Sequence, residues 1–287
     1  MGICESTTND GKQLYKNEMD AKIGMWGSKE IRKELVPFEM AESISKSEIE
    51  ELFSYDSAMC KITCKTLENG QIKDAYASGF FCKIDDNNIP FKKALFTNNH
   101  VLNRNSIEIN KEIIFENSGK KQSIKITKDR RAFTNEELDY TCIEIFDKDN
   151  IDKFYLIDDD IIKNKDELLN KEIFILQYPK GGKLAHSAGK IMNIDNNIIK
   201  HSVATKNGSS GSPLIKRYKT NLVIGIHSGG QKSNIYNIAT SFDVIIEDIK
   251  KQLSYNKTSN SNTTHIIEYK NYRNKINLIY DKYVKKK

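Results

Sequence analysis

The stretch Thr205-Lys206-Asn207-Gly208-Ser209-Ser210-Gly211-Ser212-Pro213-Leu214 sets a serine hydroxyl among glycines, Gly208 two residues before it and Gly211 directly after. Gly208 can take backbone angles closed to other residues, so such a loop can turn two N–H groups toward one point. That would hold a nucleophile and an anion-stabilising pocket together. A serine hydroxyl is a weak nucleophile, so a base must take its proton as it attacks. A histidine closes the run Ala94-Leu95-Phe96-Thr97-Asn98-Asn99-His100, and a carboxylate opens Asp139-Tyr140-Thr141-Cys142-Ile143-Glu144-Ile145, which alternates between sheet faces. The competing readings are a Gly/Ser turn between strands and a packed histidine at a strand end. His186 and His201 are rival bases, but neither ends an apolar, Thr-containing strand. Asp129, Asp147 and Asp149 are rival carboxylates, and none opens such an alternating run.

The chain order is His, Asp, Ser, whereas an α/β-hydrolase runs Ser, Asp/Glu, His. The hydrolase elbow G-x-S-x-G also fails, because Ser212 stands where its last glycine belongs. On these three motifs the sequence resembles the chymotrypsin-fold serine peptidases. The resemblance implies an all-β fold of two six-stranded antiparallel β-barrels with a C-terminal helix. It implies Ser210 as nucleophile, His100 as base, Asp139 as its orienter, and the N–H groups of Gly208 and Ser210 as an oxyanion hole. It also implies that Ser228-Gly229-Gly230 pairs with an extended peptide, two glycines leaving the strand edge open; the alternative is a glycine-rich turn. In trypsin-like zymogens an aspartate precedes the nucleophile and pairs with a freshly cut N-terminus. Here that residue is Ser209, so no such activation is expected.

The pocket residues point away from basic side chains. Ala204 stands where trypsin-like relatives carry a carboxylate. Thr205 and, across the pocket, His227 can each donate to one side-chain oxygen. Val223 to Gly230 resembles the corresponding strand of the bacterial glutamyl endopeptidases, and a Thr-and-His pair recurs in viral proteases of this fold that cut after Gln or Glu. Cleavage after Glu, with Gln second, is the expectation; the competing reading has His227 simply packed under the barrel. A catalytically inactive module that binds extended peptides as a scaffold is the alternative function.

Composition bounds the remaining classes. The 287 residues carry 45 basic and 39 acidic side chains, a net charge of +6. Residues 266–287 hold seven basic and two acidic residues, so nearly all the excess sits in that tail. The near-neutral remainder argues against a nucleic-acid-binding core. The cysteines, Cys4, Cys60, Cys64, Cys82 and Cys142, are odd in number and lack metal-ligand spacing; they read as reduced thiols in a cytosolic protein. Neither metal nor other cofactor is expected, and the partner is a protein or peptide substrate.

Ser45 to Phe53 reads as a short capped helix. Strands are expected at 58–64, 77–84 and 94–100, two more between Ile107 and Ile126 around the turn Asn117-Ser118-Gly119, and in the second half at 172–176, 188–192, 222–230 and 238–242, with a strand entered at Pro213. Residues 147–171 read as a solvated loop, and Asp243 to Leu253 as a closing helix. The domain boundaries are therefore an N-terminal segment at 1–52, a peptidase domain at 53–253, and a linker with a basic tail at 254–287. No apolar run approaches the roughly 18 residues of a membrane span, and no signal-peptide core is present. Met1-Gly2-Ile3-Cys4-Glu5-Ser6 fits the N-myristoylation pattern at Gly2, with Cys4 where a second acyl chain is often added. One chain anchors only marginally, so Cys4 or the basic tail would have to help. Association with the cytoplasmic face of a membrane is the expectation that follows.

Overall fold

A computed structural model describes residues 45–68, 71–158, 165–195, 197–217, 222–230 and 236–258. The acylation positions Gly2 and Cys4 and the basic tail lie outside them. The first described element, α1 (Lys46–Phe53), starts at the expected cap. The Ser45 hydroxyl accepts from the Glu48 N–H, and the Glu48 carboxylate accepts from the Ser45 N–H.

Seven strands follow in the first half: β1 (Met59–Glu68), β2 (Gln71–Lys83), β3 (Lys93–Thr97), β4 (Glu112–Asn117), β5 (Lys120–Lys125), β6 (Ala132–Asn135) and β7 (Tyr140–Glu144). They pair antiparallel in the order β5-β4-β1-β2-β3-β7-β6. Ser118 and Gly119 both have positive φ, the geometry of the two-residue turn that matches the twist of a tight hairpin. The short β8 (Tyr155–Ile157) pairs parallel with strands of both halves and bridges them. It lies in the stretch read as a solvated loop, its signal masked by the surrounding Asp and Lys.

The second half holds β9 (Glu172–Gln177), β10 (Ala185–Asp195), β11 (Ile198–His201), β12 (Pro213–Lys216), β13 (Leu222–Gly230) and β14 (Asn237–Ser241). They close a six-stranded ring, β12-β9-β10-β11-β14-β13 and back to β12. The closing helix α2 (Phe242–Thr258) runs five residues beyond Leu253, into the stretch expected to be linker.

Three apolar clusters follow from this arrangement. One fills the first half with Ile62, Phe81, Leu95, Phe115 and Ile143. Another fills the second ring with Ile173, Ile175, Ile191, Leu214 and Ile224. A third lies between the halves, joining Phe80, Phe96, Tyr140, Cys142, Leu176 and Ile226 to Phe242, Ile245 and Ile249 of α2. Strand β7 therefore turns Ile143 into one cluster and Cys142 into another, and it is buried along its whole length instead of alternating. Burial of that apolar area is the main stabilising contribution, on the order of 1.5–3 kcal/mol per fully buried large side chain.

Candidate active site

His100 lies just past the end of β3, where residues 97–102 leave the sheet in a turn. Both the Val101 and Leu102 N–H groups donate to the Asn98 carbonyl, which fixes that turn. Asp139 immediately precedes β7, the partner of β3 in the sheet. The pairing of Thr97 with Thr141 therefore brings the two functional groups side by side. His100 Nδ1 is 2.9 and 3.0 Å from the two Asp139 carboxylate oxygens, and the His100 N–H also donates to Oδ1 at 3.1 Å. The imidazole is about half exposed while the carboxylate is about one-quarter exposed. Asp139 has φ +48°, a left-handed conformation uncommon for a non-glycine residue.

Ser210 sits between the two halves. Its carbonyl accepts from the Ser78 N–H of β2, at 2.9 Å, and the next N–H, of Gly211, donates to the His227 carbonyl of β13. The loop around it holds its own shape. The buried Ser209 hydroxyl accepts from the Lys206 N–H, and the Ser209 N–H donates to the Lys206 carbonyl. The Ser78 hydroxyl donates to the Gly208 carbonyl at 2.8 Å and accepts from the Tyr178 N–H. Gly208 (φ +92°) and Gly211 (φ +84°) admit no side chain. A Cβ would lie 2.6 Å from the Tyr178 carbonyl oxygen at the first and 2.1 Å from that of Ser78 at the second. Among the described residues, neither the Gly208 nor the Ser210 N–H has a backbone acceptor, which leaves both available to an incoming oxyanion.

The Ser210 hydroxyl donates weakly to the Ser228 carbonyl at 3.5 Å. No hydrogen bond joins it to the His100 ring among the described residues. The structure thus pairs His100 with Asp139 directly and ties Ser210 into the same cluster through Ser228. Catalytic hydrogen bonds are often long or misaligned before substrate arrives.

Thr205 is half-buried on the approach to the serine, and His227 is 2% exposed beneath it. His227 Nδ1 lies 3.2 Å from Nε2 of the fully buried His201. Burial pushes the His227 pKa down to about 4, with His100 adding to the effect and the Ile238 carbonyl and Asp139 opposing it. Burial, then His227, pushes His201 down to about 3. Both rings are therefore neutral near pH 7. Beyond them, β14 partners one edge of Gly229 and Gly230, while β12 reaches only as far as Ile226. Their other edge has no backbone partner among the described residues, as an incoming strand requires.

The rivals are occupied elsewhere. His186 Nε2 faces Asp56 at 2.8 Å; His201 belongs to the buried histidine pair. Asp147 binds Lys93 and Asp149 binds Arg130. Cys60, Cys64, Cys82 and Cys142 are unpaired thiols. Ser78, which bonds the nucleophile loop from both backbone and side chain, escaped the reading of the sequence. Its only signal was a small polar residue inside the strand Ala77-Ser78-Gly79-Phe80.

A double antiparallel β-barrel with a His–Asp pair and a glycine-flanked serine at its seam defines the chymotrypsin-like class of fold. The chain belongs to the trypsin-like peptidase domain family, whose model matches residues 77–226. It is 34% identical over 105 residues to the glutamyl endopeptidase of Staphylococcus epidermidis, across 36% of this chain and 35% of that protein. The chain thus spans about a third of the length of the curated relatives it matches. Among solved structures it superposes on the serine endoprotease from Yersinia pestis with a TM-score of 0.52 at 15% identity. That superposition covers 73% of this chain and 68% of the other, a likeness of fold.

Proposed function

We propose that this protein is a serine endopeptidase that hydrolyses peptide bonds with Ser210 as nucleophile, His100 as general base and Asp139 as its orienting carboxylate. The observation that carries the reading is the His100 Nδ1–Asp139 contact at 2.9 Å beside a serine loop with two free N–H groups. As Ser210 attacks the scissile carbonyl, His100 Nε2 takes the hydroxyl proton and Asp139 stabilises the imidazolium. The developing oxyanion accepts from the Gly208 and Ser210 N–H groups, each worth about 3–4 kcal/mol of transition-state stabilisation. His100 then gives the proton to the leaving amine, and water repeats the sequence on the acyl-enzyme. The self-bonded Ser209 supports an oxyanion loop that needs no cleaved N-terminus to take shape.

Specificity follows from Thr205 and His227, which can donate together to the side-chain oxygen of Glu or Gln. The partial likeness to a glutamyl endopeptidase supports the same reading. Cleavage of a peptide library by wild type and by Ser210→Ala, read by mass spectrometry, tests it. Cuts after Glu, with Gln second, are expected from wild type and none from the variant. Best cleavage after Lys, Arg or Leu refutes the pocket.

One observation favours a second reading. The Ser210 hydroxyl turns to Ser228 instead of His100, as it could in an inactive module that binds extended peptides along Ser228-Gly229-Gly230. Such a module would bind the peptides without cutting them. Acylation of Gly2 and Cys4, and with it attachment to the cytoplasmic face of a membrane, extends the proposal. Mass spectrometry of the N-terminal peptide from a eukaryotic host tests this, and an unmodified Gly2 sinks it.

A further inference from the structure

Asn98 is fully buried, two residues before His100 and directly after β3, where the last strand residue, Thr97, is likewise a buried polar side chain. Its side-chain amide donates to the Asp139 carbonyl at 2.8 Å and reaches the Ser228 hydroxyl at 3.4 Å. Its Oδ1 is buried with no partner among the described residues. An amide nitrogen has two protons, and here they serve two different segments. One is the aspartate turn, held at positive φ. The other is the strand segment whose Ser228 carbonyl receives the Ser210 hydroxyl. No other described side chain bonds both.

We propose that Asn98 is the positioning residue of the site, holding the Asp139 backbone in its left-handed turn and so aiming the carboxylate at His100. This rests on the triad reading above and adds to it a residue outside the triad. The unpartnered Oδ1 separates this role from a purely structural one. A buried acceptor without a partner destabilises, so an apolar residue of similar size removes that penalty and offsets part of the cost of the two lost hydrogen bonds. What such a residue lacks is the donor. Without it the Asp139 carbonyl loses its side-chain donor, the only one among the described residues, and the turn relaxes from a conformation that L residues disfavour. The carboxylate then drifts from Nδ1. A misplacement of about 1 Å at a catalytic group can reduce the rate roughly 100-fold.

Asn98→Val removes the donor with a side chain near asparagine in volume; Asn98→Ala is the smaller alternative if the first fails to fold. Each is compared with wild type and with Asp139→Ala in the full chain. The maximal rate of Ser210 phosphonylation by a fluorophosphonate is measured separately from the reagent's binding constant. Thermal midpoints and the low-field proton resonance of the His100 Nδ1–H are recorded alongside. The expected result is a 10- to 100-fold lower maximal rate for the Asn98 variants, with reagent binding and thermal midpoint near wild type and the low-field resonance lost or moved. Asp139→Ala is expected to lose roughly 1,000-fold or more. If Asp139→Ala falls by that much while the Asn98 variants keep the wild-type rate and resonance, the positioning role is wrong and the triad stands. If Asp139→Ala itself reacts like wild type, the triad reading fails and this inference fails with it.

Discussion

At the residue scale the site depends on small side chains as much as on the reactive ones. Gly211 sits at φ +84°, with the Ser78 carbonyl and the Thr97 hydroxyl crowding the space a Cβ would take. Gly211→Ala is expected to cost on the order of 2–4 kcal/mol of stability and to abolish Ser210 reactivity. Urea unfolding and active-site labelling check the two effects. In the pocket, His227→Ala should lose about 2–3 kcal/mol of transition-state binding for a Glu substrate, the scale of a charge-assisted hydrogen bond. The His227 pKa of about 4 in the free chain makes its ring a neutral donor near pH 7. The imidazolium, which favours a carboxylate over an amide, gains population only as pH falls. The Glu-to-Gln ratio of kcat/KM should therefore rise as pH drops from about 8 toward 5; a ratio that does not change with pH contradicts the assignment. His100 and Asp139 were singled out in the sequence by the strand-like runs they close and open, and Ser210 by its flanking glycines. Ser78 and Asn98 were not, since a buried serine or asparagine has no pattern until its partners are known.

At the element scale, α2 does more than close the domain. Asp248, 9% exposed, accepts from the Tyr140 hydroxyl at 2.7 Å, from Gln252 at 2.8 Å and from Asn135 at 3.1 Å. Asn135 in turn accepts from the Glu137 and Leu138 N–H groups, which shapes the turn that presents Asp139. Thr240, at the end of β14, donates to the Leu138 carbonyl in the same turn. Asp248→Ala removes the acceptor for three donors, of which Tyr140 and Gln252 are buried. A loss of about 2–4 kcal/mol in urea unfolding is expected, with reduced labelling of the folded fraction. An unchanged urea midpoint would show that the helix is not coupled to the turn. The helix and the strands flanking the site were legible from apolar spacing and turn residues. Strand β6 (Ala132–Asn135) and β11 (Ile198–His201) were missed, because four residues are too few to set a period. The burial of β7 on both faces was hidden because its second face meets the seam between the halves, a tertiary fact.

At the scale of the whole molecule, the buried histidine pair ties stability to pH. The folded pKa values of about 4 for His227 and about 3 for His201 lie below the unfolded value of 6.5. Above pH 6.5 both states are neutral and the stability is fully present. As pH falls below 6.5 the unfolded chain takes up protons that the folded chain refuses. Stability should then decline by up to about 1.4 kcal/mol per pH unit for each ring. Thermal midpoints between about pH 7 and 5 measure the slope, and His201→Leu should flatten it; an equal slope in wild type and variant contradicts the account. The double barrel was expected from the family resemblance that the His, Asp, Ser order and its strand-like flanks carry. The seam was not, since no local pattern marks which strand faces meet across it. At that seam Asn98 links the His100–Asp139 pair to Ser228, which receives the Ser210 hydroxyl, and the central proposal is that His100, Asp139 and Ser210 act there as one catalytic unit. The most direct measurement is labelling of the folded full chain with a fluorophosphonate, followed by mapping of the modified residue. The account predicts a single adduct on Ser210, absent in Ser210→Ala and slowed by at least about 100-fold in His100→Ala. A folded protein that never labels, or one whose Ser210 reacts equally fast without His100, contradicts it.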